Sequence, residues 1–440
     1  MMRDGEARSR QRRSDSFLPE LPTTLVFAFS DRVQSRLYSL ALAFGCVFVA
    51  ALPFHHLLAF RSTALGLAAV FTFAAGGWRE MPKLPLIAGW AAWMIFAGVS
   101  VVYAQNHLLA LSEYRYEVLY TFGTWATCYT LARHHNGARW LGRVLVTATV
   151  GALALGIALF VPGRPWFDLG RYGDVGTVST FLITVLPLFL LFALRSHPHS
   201  ANRVGALAIA TGCLAAGLLT LNRTFWLAAA AEITIFAVFS MRYWNSRFRH
   251  ASMLAVGTLV AALAVVEVFT TSQSRIALAA PGTGVWEFLS DDPRADLWRF
   301  AVNQIALHPW IGAGLGKWSS RDVFMAYFDD PLLMHAHNMF LNRALETGLP
   351  GVLALSLLLA QVALAFWRVA RSADPDIAAI GAAGLALVAG VVVKNLTDDF
   401  FVRQNALLFW SLVGAGLGAA AARGDAIRAA HPSTRSAFSG

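Results

Sequence analysis

The chain is 440 residues long, 57% of its residues are apolar, 14% are charged, and its net charge is +10. Soluble domains carry roughly 25% charged residues, so this composition excludes an ordinary soluble protein and indicates one embedded in lipid. The basic residues are spread between apolar segments instead of forming one patch, which argues against nucleic acid as a partner. We therefore expect the positive charge to reflect membrane topology.

The apolar segments are long enough to cross a membrane, since about 20 helical residues span roughly 30 Å of hydrocarbon. The predicted fold is an all-α integral membrane protein of about twelve transmembrane helices with a long extracytoplasmic loop that contains short helices. The predicted spans are 37–60, 62–77, 84–104, 115–132, 140–161, 175–194, 202–220, 222–240, 251–270, 349–367, 376–396 and 401–422.

These spans divide the chain into a basic tail, nine helices, a long loop, three helices and a second tail. The boundaries are 1–36, 37–270, 271–348, 349–422 and 423–440. Most of the 35 Lys and Arg residues lie in the tails or in alternate loops. By the positive-inside rule, both termini are expected in the cytoplasm and the long loop on the other side.

Two short helices are predicted within the long loop. The first begins at Pro293, and the second runs from near His337 to Thr347. Gly348 is suited to end the second helix, and Pro350 is suited to open the next span. Both short helices are expected to lie at the membrane surface and to border a cavity.

Two arginines are candidates for binding an anion. Arg223 stands at the start of a predicted span, where the helix dipole also favours an anion, although it could instead extend to water from the membrane interface. At helical spacing Arg294 shares a face with Trp298, which would direct it towards a cavity. A salt bridge from Arg294 to Asp291 or Asp296 is the alternative.

The segment His335-Ala336-His337-Asn338 contains the candidate base. In a helix the two histidines would face apart, whereas an extended backbone would place them on one side. A zinc site would need further ligands that the sequence does not supply, so a single neutral histidine acting as a general base is preferred over a metal. The alternative is a histidine that only caps the helix or binds water.

Asp398 and Asp399 follow the predicted eleventh helix. Either carboxylate could orient a base or an arginine. Pairing with Lys394 or Arg403 is the alternative that the sequence leaves open.

Taken in order, four segments resemble the O-antigen ligase and polymerase superfamily of bacterial envelope glycosyltransferases. The resemblance covers roughly residues 165–400. Gly170-Arg171 is a further, shorter match. The matching segments are Asn222 to Trp226, Arg294 to Gly314, His335 to Leu341 and Glu346 to Gly351.

This resemblance implies transfer of O-antigen polysaccharide from undecaprenyl diphosphate to lipid A-core on the periplasmic face of the bacterial inner membrane, with inversion and without metal or other cofactor. It implies His337 as the catalytic base and Arg223 and Arg294 as the residues that bind the donor diphosphate. The alternatives are an O-antigen polymerase, a protein O-oligosaccharyltransferase and a transporter. The candidate supporting residues are His335, Asn338, Arg171, Asp398 and Asp399.

Overall fold

A computed structural model describes most of the chain, and the regular structure of the part it describes is helical. The side chains of Arg223 and Pro293 are not described. The described residues are 31–77, 79, 84–134, 136–159, 174–197, 200–220, 222–240, 293–316, 319–329 and 335–430.

The helices are named here in chain order. A π-helical turn, Arg115–Leu119, joins the fourth α-helix to the fifth. The α-helices are α1 (Asp31–Ala51), α2 (Leu58–Ala74), α3 (Ile87–Val102), α4 (His107–Tyr114), α5 (Tyr120–Arg133), α6 (Gly137–Ala158), α7 (Val175–Arg195), α8 (Ala201–Leu219), α9 (Arg223–Ser240), α10 (Pro293–Leu307), α11 (Arg321–Phe328), α12 (Met339–Ala370), α13 (Pro375–Asn395) and α14 (Arg403–Ala430).

Seven of these helices, α1, α6, α7, α8, α12, α13 and α14, are long and apolar enough to cross a membrane. Within the described residues, α2, α3 and the segment Thr224–Ser240 of α9 are shorter apolar helices. The fold is therefore that of a multi-pass, all-α membrane protein. The predicted span 251–270 lies outside the described residues, so the count of twelve helices stays a prediction.

Several predicted boundaries differ from the structure. The predicted span 37–60 is too long, because α1 ends at Ala51 and α2 already begins at Leu58. Pro53 lies in the intervening turn and has no N–H to continue the helix. Hydropathy alone does not locate this turn, because apolar residues continue through it. At the other end of the chain, α14 extends past the predicted end of its span to Ala430.

The turns that carry the candidate residues meet at one end of the helix bundle, which we call the site end. The side chain of Gln404 at the start of α14 contacts His55 in the α1–α2 turn, with 2.8 Å between Nε2 and Nδ1. Asn222, just before α9, lies 3.5 Å from Asp398 between α13 and α14. Antiparallel packing of successive helices therefore brings distant segments of the chain to the same end.

The long helix α12 is broken at Gly348, as the sequence predicts. Gly348 has φ 70° and ψ 178°, a conformation essentially restricted to glycine. The break leaves backbone carbonyls just before Gly348 without partners inside the helix, and N–H groups of the preceding loop donate to them. Ala313 N–H donates to Leu345 O at 2.7 Å, and Gly314 N–H donates to Glu346 O at 3.0 Å. The first part of α12 begins at Met339, slightly later than predicted, and α11 is a further helix that the sequence did not predict.

Gly348→Ala should destabilise the protein by at least about 1–3 kcal/mol, because the glycine-only backbone conformation would be strained. In addition, the new Cβ would lie 2.5 Å from the carbonyl of Trp310. Gly66→Ala is a matched control, since a Cβ there meets no atom within 4 Å. Thermal unfolding of both variants in detergent measures the difference. Equal stability of the two variants would contradict this account of the break.

Candidate active site

The backbone of Ala336 fixes the two histidines in place. Its N–H donates to Oδ1 of Asn342 at 2.8 Å, and its carbonyl accepts from Nε1 of Trp298 at 2.9 Å. The flanking rings of His335 and His337 have centroids 4.0 Å apart. The two side chains therefore lie on the same side, which is the non-helical alternative that the sequence left open. Trp298 thereby helps to attach α10 to this segment.

His337 itself has a backbone conformation that is uncommon for a side-chain-bearing residue. Its φ is 45°, in the left-handed region. Such conformations cost of order 1–3 kcal/mol and persist only where surrounding contacts impose them. Here those contacts are the two hydrogen bonds of Ala336 on one side and the α12 cap on the other. Asn338 is that cap, and its Oδ1 accepts from the N–H of Phe340 at 2.9 Å and of Leu341 at 3.1 Å.

Asp398 is the carboxylate that contacts His337. It accepts hydrogen bonds from His337 and, at 2.8 Å, from Nζ of Lys394, whose side chain is fully buried. Burial raises the pKa of Asp398, but the Lys394 ammonium and the hydrogen bonds from His337 and Lys394 lower it by more, so its net pKa lies well below the usual range. The carboxylate therefore stays ionised and holds the imidazole in one orientation.

Two further contacts tie the histidine segment to the loop that carries Asp398. Nδ2 of Asn342 donates to Oδ2 of Asp399 at 2.6 Å. Nδ2 of Asn338 donates to the carbonyl of Leu396 at 2.7 Å. Asp399 and Asn338 thus position the site by joining its two halves. The sequence left open whether Asp398 orients a base or pairs with a cation. In the structure it does both, because it pairs with Lys394 and also contacts His337.

The three predicted arginines are described in different detail. Arg294 is half-buried on α10 and lies close enough to Lys394 for their charges to repel. It therefore lies within electrostatic range of the Lys394–Asp398 pair that contacts His337. Arg223 is the first residue of α9, and its neighbour Asn222 reaches Asp398. Arg171 lies outside the described residues.

A buried ion network that sequence reasoning missed lies one turn further along α12. Arg343 pairs with Glu346 at 2.7 Å and with Glu117 at 3.1 Å, and all three side chains are at most 4% exposed. Glu117, in the π-helical turn, also accepts the N–H of Arg403 at 3.0 Å. The spacing of Arg343 and Glu346 within an apolar segment is a signal for such a pair. Their link to Glu117 is long-range and has no local signal.

A polar cavity of about 240 Å³ lies beside this network at the site end. Asp174 on its wall lies close enough to affect both Lys394 and His55 electrostatically. The cavity therefore borders the α1–α2 turn at His55, and one of its wall residues lies within electrostatic range of Lys394. Its wall consists of His55, Glu113, Glu117, Asp174, Thr177, Arg343, Phe400, Val402, Arg403, Gln404 and Asn405.

Fold and site together define a multi-pass membrane protein with a histidine–carboxylate pair and cationic side chains at one end of its helix bundle. Residues 205–356 match the model of the O-antigen ligase family. The match runs from α8 through the break in α12 and includes both histidines, and it confirms the family resemblance that the motifs indicate. No curated protein matches the chain. The family points to a membrane enzyme of glycosyltransferase type that acts on a lipid-linked glycan.

Proposed function

We propose that the protein is an O-antigen ligase, which moves a polysaccharide from undecaprenyl diphosphate to lipid A-core at the periplasmic face of the inner membrane. The observation that carries the proposal is the hydrogen bond between His337 and Asp398, next to the cationic Arg294 and Lys394. A base and positive charge side by side are what transfer from a diphosphate-linked donor requires.

In this mechanism His337 removes the proton from an acceptor sugar hydroxyl. The oxygen attacks the anomeric carbon of the donor sugar as the bond from that carbon to the diphosphate oxygen breaks, and the electron pair leaves with undecaprenyl diphosphate. Direct displacement inverts the anomeric configuration. Asp398 orients the imidazole and stabilises the imidazolium that forms.

Arginine side chains are suited to the leaving diphosphate. The guanidinium group is planar, offers two parallel N–H donors to phosphate oxygens and stays charged. Arg294 on α10 and Arg223 at the start of α9 are assigned this role. Because a diphosphate is already a stable leaving group, positive charge where negative charge develops is the main requirement, and the proposal needs neither metal nor another cofactor.

The topology of the proposal follows the distribution of basic residues. Both termini are assigned to the cytoplasm and the site end to the periplasm. Ion pairs occupy the opposite end of the bundle, where Arg133 contacts Asp425 at 2.7 Å and Arg195 contacts Asp376 at 3.1 Å. Labelling of single cysteines placed near Asn106 and near Arg428 by a membrane-impermeant reagent tests the assignment. Labelling of the second position in intact cells would overturn it.

Gene deletion distinguishes the ligase from the polymerase alternative. Loss of a ligase leaves bare core, with polymer still on its lipid carrier, whereas loss of a polymerase leaves core that bears a single repeat. Transfer of glycan between defined lipids by the purified protein distinguishes an enzyme from a transporter. Core with one repeat in the deletion strain would replace the ligase assignment with polymerase.

Arg294→Ala should lower transfer activity by about 10- to 100-fold, the worth of a charge-assisted hydrogen bond to phosphate. Arg299→Ala is the matched control, because Arg299 lies on the same helix but is exposed and paired with Asp296 at 2.6 Å. Initial rates of the purified variants at saturating acceptor measure the difference. Equal rates for the two variants would remove Arg294 from the donor site.

A further inference from the structure

The α1–α2 turn and the first turn of α2 contain a buried cation that the proposed mechanism does not use. Arg61 is 1% exposed, and its Nε and Nη1 have no hydrogen-bond acceptor among the described residues. Burial of a guanidinium group without acceptors is strongly unfavourable. Unsatisfied donors of this kind, within electrostatic range of residues that line a polar cavity, are suited to an anion.

The surroundings of Arg61 are positive. It lies close enough to Arg403 and His55, which both line the polar cavity, to act on their charges. Burial lowers the pKa of His55, and the guanidinium groups of Arg61 and Arg403 lower it too, although Asp174 opposes them. Gln404 adds a buried Oε1 with no donor among the described residues. That oxygen is suited to a hydroxyl next to the anion.

Among the described residues, no carboxylate accepts a hydrogen bond from Nε or Nη1 of Arg61, and the carboxylates near the cavity have other partners. Glu113 pairs with Arg403 at 3.2 Å, and Glu117 pairs with Arg343 at 3.1 Å. Asp174 caps α7 by accepting the N–H of Thr177 at 2.6 Å. The positive charge of Arg61 is therefore available to a ligand.

The position of Arg61 indicates a ligand that comes from the membrane. Phe60, the preceding residue, is 56% exposed on the outside of the apolar helix α2, where lipid would lie. An anion reaching Arg61 at the end of the bundle would thus lie at the level of a lipid head group. Phosphate is the anion that arginine prefers and that membrane lipids carry.

We propose that Arg61, together with Arg403, forms a second phosphate site, which binds a phosphate group on the lipid-borne acceptor and is separate from the diphosphate site at Arg223 and Arg294. This inference rests on the proposed function, because it assigns the second substrate of that reaction. Binding there would hold the acceptor on the α2 side of the cavity.

The first test compares acceptors with the wild-type protein. Removing the phosphate groups from the acceptor glycolipid should raise its KM by about 10-fold or more, the worth of a charge-assisted hydrogen bond, while the donor KM stays unchanged. This measurement needs no variant. Equal KM values for phosphorylated and dephosphorylated acceptor would overturn the proposal, whereas absence of any transfer by the wild-type protein would instead refute the proposed function.

The second test uses Arg61→Gln, with Arg115→Gln as the matched control, since Arg115 stacks on neighbouring Tyr116 but is exposed. Arg61→Gln should raise the KM for phosphorylated acceptor by about 10-fold or more and abolish the preference for phosphate. Arg115→Gln should behave as wild type. A rise in donor KM in place of acceptor KM would assign Arg61 to the donor diphosphate and overturn the proposal. If Arg61→Gln fails to fold, Arg61→Lys should retain the preference for phosphorylated acceptor, and its loss would likewise count against the site.

Discussion

His337→Ala should lower the rate of glycan transfer by about 10²- to 10⁴-fold, the usual contribution of a general base. The reason is that His337 alone contacts both the ionised Asp398 and, in the proposed mechanism, the acceptor hydroxyl. Initial rates with purified protein and defined donor and acceptor lipids measure the effect. The loss should appear in kcat, because the proton is removed in the transition state.

The controls for this prediction follow from the local backbone. His337→Asn is the variant matched for folding, since asparagine tolerates the left-handed conformation that His337 adopts. It should be as inactive as His337→Ala and as stable as wild type. His335→Ala should lose less than about 10-fold, because the adjacent ring only supports the base. Full activity in a folded His337 variant would exclude it as the base.

Asp398→Asn should destabilise the protein by about 3–5 kcal/mol, because it leaves the fully buried Lys394 ammonium without a counter-charge. It should also lower transfer activity, since the imidazole of His337 loses the carboxylate that orients it. Thermal unfolding and transfer rates measure the two effects separately. Adding Lys394→Met to Asp398→Asn should restore much of the stability and none of the activity, which distinguishes the structural effect from the catalytic one.

The pH dependence of the stability that Asp398 contributes follows from the direction of its pKa shift. The pKa of Asp398 is lowered in the folded protein, so its contribution to stability is complete above the unfolded value of about 3.9. That contribution is lost only as the pH falls through the folded pKa. The contribution of Asp398 to the stability of the wild-type protein should therefore be constant between about pH 5 and 8. Thermal unfolding of wild type across this range measures it, and a loss of stability on acidification from about pH 8 to pH 5 that is absent from Asp398→Asn would show that Asp398 is not held ionised.

Local patterns in the sequence predicted parts of the backbone structure around the candidate site. The spacing of Arg294 and Trp298 placed both on one face of a short helix, and Trp298 does contact the histidine segment. The position of Gly348 before Pro350 predicted the break in α12. These predictions succeeded because each depends on residues within a few positions of one another.

The rest of the site depends on contacts that no local pattern encodes. The link from Arg343 to Glu117 joins residues 226 positions apart. The left-handed conformation of His337 is imposed by Trp298, Asn342 and the cap of α12, so composition alone does not reveal it. No sequence pattern marks Arg61 as a binding residue, because a single arginine near a helix start usually extends to water. Only its burial in the structure distinguishes it.

The break at Gly348 affects how the protein can adapt to bilayers of different thickness. Residues 339–347 are held by the loop around Ala313 and by Asp399, whereas Leu353 and Leu357 beyond the break are exposed on the apolar surface. A spanning helix adapts to a thinner or thicker hydrocarbon layer by changing its tilt. Because the helix is already interrupted at Gly348, we expect tilting of the spanning part of α12 to displace residues 339–347 less than it would in a continuous helix. The backbone around His337, the proposed base, should therefore be less sensitive to membrane thickness than the spanning part of α12.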